Sequence, residues 1–193
     1  MASEEPSDRN GLVEMVVESV RVHMLSSRHV VILKETEHDR YLPIWIGPWE
    51  ASAIAMKLQG LTPERPLTHD LFASAIEALG ARVDRVVVVE MSEETYHARL
   101  ILAMGERLIE VDARPSDALA LAVRTGARIF ATVDLMDQAG LGEGSPGLTD
   151  DPTDSDGQPL ETLTGGVVDP RLDMFRDFVN SLDTDPGGES RTG

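Results

Sequence analysis

The sequence predicts an α+β domain: a largely antiparallel mixed sheet with three Ala-rich helices packed on it. Val-rich runs with period-two alternation recur through the first 133 residues. Three Ala-rich segments follow turn signals, and two of them stop at a glycine. Apolar residues at 41% and charged ones at 26% of 193 residues suit one globular core.

The elements follow in chain order. Leu12–Met24 and Arg28–Thr36 are Val-rich, and Ser26-Ser27 between them suits a hairpin. Arg40–Ile46 is a third strand, stopped by Gly47-Pro48, and the same pair opens a helix over Ala51–Leu58. That helix is small and apolar nearly all round, so it is expected to be covered on more than one side. Thr68–Leu79 is a second helix, with Thr68 expected as its N-cap and Gly80 as its stop. Ala81–Met91, Tyr96–Met104 and Arg107–Val111 alternate as strands. Pro115–Thr125 is the third helix, closed by Gly126, and Arg128–Val133 is the last strand.

The ends differ in composition from the body. Residues 1–11 are polar and read as disordered, and residues 12–139 form the domain. Residues 140–168 are an acidic linker rich in Gly, Pro and Asp, with too few large apolar side chains to offset the entropy of ordering. Residues 169–184 read as a short amphipathic helix with Leu172, Phe175, Val179 and Leu182 on one stripe, expected to dock on the domain or on a protein partner. Residues 185–193 read as a disordered tail.

Acidic residues number 34 against 17 basic, for a net charge of −17, and residues 140–193 hold 12 acids and 3 bases. Such a balance argues against binding nucleic acid through a broad basic face, because that affinity comes from Lys and Arg releasing phosphate counterions. With no cysteine, disulfides, thiolate metal sites and cysteine nucleophiles are excluded. No apolar run is long enough to span a membrane, and no targeting segment is visible at the start. The expectation is an acidic, soluble, cytoplasmic domain.

Familiar sites are absent or incomplete. There is no G-x-x-x-x-G-K-[ST] loop and no G-x-S-x-G elbow. The G-x-G-x-x-G match at Gly142–Gly147 carries Pro146 and runs into Asp-rich chain instead of a helix. The calcium-like string at Asp154–Gly157 lacks its first and twelfth ligands, which are Pro152 and Leu163. Neither lysine has an acid two residues before it, so that common nuclease core is excluded. The five histidines show no H-E-x-x-H spacing, and only His69 has chemically suggestive neighbours.

Three junctions between elements concentrate unusual chemistry. They are Leu42-Pro43-Ile44-Trp45-Ile46-Gly47 with Trp49 and Glu50 after it, Arg65-Pro66-Leu67-Thr68-His69-Asp70-Leu71, and Asp112-Ala113-Arg114-Pro115-Ser116-Asp117-Ala118. Capping and helix-dipole effects alone could explain Glu50, Asp70 and Asp117 in first turns. Asp112, ending an apolar strand, is not explained that way.

These three strings, in this order and spacing over residues 13–135, resemble the bifunctional nuclease domain family, this chain looking like a bacterial member with an added acidic tail. The resemblance implies an α+β fold, frequent dimers, and the activity on both DNA and RNA ascribed to plant members. It supplies no catalytic residues, so the site is read from chemistry. With many carboxylates and two lysines, phosphodiester cleavage is expected to use Mg²⁺ or Mn²⁺. Glu50, Asp70, Asp112 and Asp117 are the candidate ligands. His69 is the candidate acid or base, with Asp112 and Arg114 as catalytic partners. Arg114 could also clamp the phosphate, with Arg65 and Trp49 assisting substrate binding. The rival reading is a non-catalytic dimeric module whose same loops take a peptide or small ligand. A homodimer is expected with the tryptophans at or near its interface, since the first helix has too little polar surface to face water.

Overall fold

The computed structural model describes residues 11–23, 28–93, 95–142 and 160–162. The expected disorder at 1–10, the Ser26-Ser27 turn, the 169–184 helix and the 185–193 tail lie outside the described residues. Strands β1 (Leu12–His23), β2 (Arg28–Glu35) and β3 (Arg40–Ile46) lead into α1 (Pro48–Leu58) and α2 (Thr68–Ala78). Then come β4 (Arg82–Ser92), β5 (Thr95–Met104), β6 (Arg107–Ala113), α3 (Pro115–Thr125), β7 (Arg128–Thr132) and α4 (Val133–Ala139). Two short strands, β8 (Leu141–Gly142) and β9 (Leu160–Thr162), fall within the span read as linker.

One sheet runs in the order β6-β5-β4-β7-β1-β2-β3-β8, with β9 beside β1. Every pairing is antiparallel except β4 with β7. The parallel pair has a topological cause. β6 and β7 both run parallel to β4, so the chain between them must cross over the sheet, and α3 is that crossover.

The crossover places α3 between the sheet and α1 and α2, and Pro115, Ser116 and Ala118 through Ala122 are all buried. Leu119 and Leu121 fill the core with Val86, Val88 and Leu100 of the sheet, Ile54 of α1 and Ile76 of α2. Alanines at 51, 55, 118, 120 and 122 let the helices approach without large side chains between them. The enclosed helix is therefore α3. The first helix buries only Ala51, Ile54 and Ala55, a narrower face than its composition predicts. Val30 and Ile32, alternating to the other face of β2, form a small second cluster with Tyr41.

Three element details differ from the sequence reading. The N-cap of α2 is Leu67, with Thr68 as its first helical residue; the Asp70 carboxylate accepts the Leu67 amide at 2.9 Å and does the capping instead. α4 has seven residues, too few for an amphipathic period to show, and is capped by the Thr132 hydroxyl accepting from the Leu135 amide. β6 runs on to Ala113, so Asp112 is within the strand. Among the described residues, no helix is long and apolar enough to cross a membrane.

Candidate active site

The N-terminal turns of α1, α2 and α3 converge. Each helix carries a carboxylate at its third position: Glu50, Asp70 and Asp117. Helix N-termini carry partial positive charge, and acids there are favourable by about 0.3–1 kcal/mol each. Pro48 and Pro115 at the first positions fix the backbone for helix where an amide would have no partner.

Arg114, the N-cap residue of α3, bridges two of these acids. Its Nη2 donates to Glu50 Oε1 at 2.8 Å, and its Nε and Nη2 donate to Asp117 Oδ2 and Oδ1 at 2.7 and 3.1 Å. On the other side of Asp117, His69 Nε2 lies 3.1 Å from Oδ1. An ionised carboxylate only accepts, so this ring nitrogen carries the hydrogen and Nδ1 is left to exchange a proton. Burial pushes the Asp117 carboxyl up, but the Arg114 guanidinium and the His69 ring outweigh it and hold it below the ordinary carboxylate range. Asp117 foremost, and then Glu50, in turn raise Arg114 against the desolvation of its guanidinium. Arg114 is nevertheless 68% exposed while His69 is 13% exposed. The group is thus an accessible cation held by two carboxylates, one of which also orients an imidazole.

The other candidates stand apart from it. Asp70 faces away from Asp117: its Oδ1 accepts from Arg124 Nε at 2.7 Å and its Oδ2 from the Leu67 amide. Burial would raise its carboxyl, but the Leu67 amide and Arg124 hold it low. Asp112 pairs with Arg99 across β5 and β6, and Arg99 also reaches Glu110 at 2.9 Å. Strand alternation explains this placement: Ala98 and Leu100 point into the core under the helices, so Arg99 and Asp112 lie on the reverse face. Arg65 is exposed, and Trp49 is 84% exposed one residue before Glu50. Trp45 carries the Arg28 guanidinium 4.0 Å above its ring. Among the described residues, no group of three or more His, Asp or Glu gathers as a metal cage.

Two arginines that organise these acids went unmarked in the sequence. Arg124 reads as an ordinary cation in the last turn of a helix, and Arg99 as one polar position of an alternating strand. Only the packing of α2 on α3 and the register of β5 on β6 reveal their partners.

Comparisons with known proteins cover the same region. A sequence profile described as the bifunctional nuclease domain matches residues 31–143, a span holding all three motif strings. An uncharacterised protein of Mycobacterium tuberculosis is 40% identical over 172 residues, which is 89% of this chain and 96% of that protein. Bifunctional nuclease 1 of Oryza sativa subsp. japonica is 29% identical over 109 residues, 54% of this chain and 33% of the rice protein. The protein of Oryza minuta named Bifunctional nuclease matches to the same extent.

Proposed function

Because the chain belongs to the bifunctional nuclease domain family, we propose that it hydrolyses phosphodiester bonds of RNA and DNA where α1, α2 and α3 converge. The observation that carries this reading is the Arg114 bridge between Glu50 and Asp117, with His69 sharing the Oδ1 atom of Asp117 with that guanidinium. A substrate phosphate would compete with the two carboxylates for the exposed guanidinium, which binds phosphate in bidentate fashion. His69 would take a proton from water or return one to the leaving oxygen, with Asp117 stabilising the imidazolium that forms.

The four acids expected as ligands do not gather, since Asp70 and Asp112 are each held by their own arginine. Glu50 and Asp117 remain at the site, and Mg²⁺ is commonly held by one or two carboxylates with substrate phosphate and water. A divalent ion, Mg²⁺ or Mn²⁺, therefore belongs to the proposal as one recruited with substrate, where it would neutralise phosphate charge. Arg65 and Trp49 are the further substrate contacts proposed.

The test is cleavage of end-labelled single strands of RNA and DNA with each ion and with chelator. Cleavage lost in Arg114→Ala and His69→Ala supports the site. Cleavage that persists under chelation removes the metal from the proposal and leaves the nuclease. No cleavage under any ion favours the rival, a non-catalytic dimeric module. A specific observation speaks for its dimeric half: α2 and its C-cap leave Leu71, Phe72 and Leu79 exposed, on a side of the helix where it carries no charged residue of its own. In a chain of net charge −17, an uncharged apolar face is where two copies can meet without like charges opposing. Homodimerisation through this face is compatible with either reading.

A further inference from the structure

We infer that Arg124 is the positioning residue of this site, fixing the first turn of α2 so that His69 meets Asp117. Only the effect on turnover rests on the nuclease reading; the placement of His69 does not.

Arg124 ends α3, far from the exposed Arg114, and its side chain is 5% exposed. A buried guanidinium is costly unless each donor direction is answered. Here Nε donates to Asp70 Oδ1 of α2 at 2.7 Å, Nη1 to the Ala120 carbonyl of α3 at 3.0 Å, and Nη2 to the Ala53 carbonyl of α1 at 3.2 Å. One rigid planar fork therefore touches all three helices, and its fixed donor directions set their relative places.

The tie matters because, within one copy of the chain, the His69 end of α2 buries little of its surface. Its one buried residue is Ile76, near its C-terminal end, with Ala73 partly buried against the core, while Leu71 and Phe72 in the turn after His69 are exposed. Within one copy, packing holds α2 from Ala73 onward, and the Arg124–Asp70 pair ties down the turn that carries His69. Asp70 completes the link by capping its own helix through the Leu67 amide.

The experiment uses the full chain with Arg124→Lys, which keeps the charge and loses the fork, checked for folding by circular dichroism and thermal melting. Imidazole nitrogen spectra recorded at alkaline pH, where the ring is neutral, report the His69 tautomer. In the parent chain the bond to Asp117 pins the hydrogen on Nε2; in Arg124→Lys a mixture of the two tautomers is expected. With labelled single-stranded RNA, kcat should fall about tenfold with KM little changed, the signature of misplacement without lost binding. A folded Arg124→Lys whose His69 spectrum matches the parent overturns the inference. If Arg124→Lys does not fold, Asp70→Asn removes the ion at the other end and is read the same way. A tautomer change in a chain that cleaves nothing upholds the positioning role and discards the nuclease. A cleaving chain with an unmoved His69 does the reverse.

Discussion

Glu50, Asp70 and Asp117 occupy the same third position of three helices, yet they have different fates. Asp70 is consumed by a buried arginine, whereas Glu50 and Asp117 share an exposed one. Gly47 shows how finely Glu50 is placed. Its backbone is extended at φ −71°, which any residue adopts, so the need is for space. A Cβ there would collide with the Glu50 carboxylate, the end of a flexible side chain. Gly47→Ala should therefore move Glu50 off Arg114 and leave the fold alone. The expected outcome is stability within about 1 kcal/mol of the parent in urea unfolding. Cleavage should fall about tenfold, since a misplaced group near the reacting phosphate costs rate steeply.

Among elements, α3 is structurally central and α1 is peripheral. Leu119 is fully buried at the heart of the crossover, while Trp49 projects from α1 into solvent. Leu119→Ala is expected to cost about 3 kcal/mol, by lost transfer energy and the cavity left behind. Trp49→Ala should cost within about 0.5 kcal/mol, as for surface positions generally. Equilibrium denaturation compares the two directly. A large cost at Trp49 would place this indole against a second copy of the chain, in line with the expected dimer interface. The reverse face of β5 and β6 has its own ion-pair system, Arg99 with Glu110 and Asp112; both carboxylates are exposed, so Asp112→Ala should cost within about 0.5 kcal/mol in the same measurement.

At the scale of the whole molecule, carboxylates govern the response to acid. Glu35 is buried, which would raise its carboxyl, but Arg40 and His38 hold it below its ordinary value of 4.5. Asp70 and Asp117 are likewise held below 3.8. All three bind a proton more weakly folded than unfolded, so their stabilisation is present above the ordinary carboxylate range. It is lost as pH falls through and below about 4. Thermal melts should give a flat Tm near neutrality and a steep decline in that acid window; a Tm unchanged into it would contradict the ion-pair assignments. Association is the second whole-molecule property. Leu79, the C-cap of α2, is 76% exposed, and Leu79→Glu should convert a dimer seen by light scattering into a 21.0 kDa species. A parent chain already at that mass would remove the dimer.

The sequence by itself determined the alternation of strands, the three Ala-rich helices, two of them with proline starts, and the antiparallel majority of the sheet. These are local properties, set by period, propensity and turn chemistry within a dozen residues. It also marked Glu50, His69, Arg114 and Asp117 as chemically unusual at junctions. What it left undecided was which carboxylate meets which cation. Asp112, two residues before Arg114, is carried to the reverse face of the sheet because strand side chains alternate. Asp70, next to His69, turns to Arg124 because α3 crosses beneath α2. Which helix is enclosed was equally beyond local reading, since α1 and α3 have similar compositions and only the parallel β6–α3–β7 crossover buries one of them on both sides. Ion pairs and hydrogen bonds of this kind join residues 13 to 71 positions apart, and only the folded chain brings such separations within hydrogen-bonding reach.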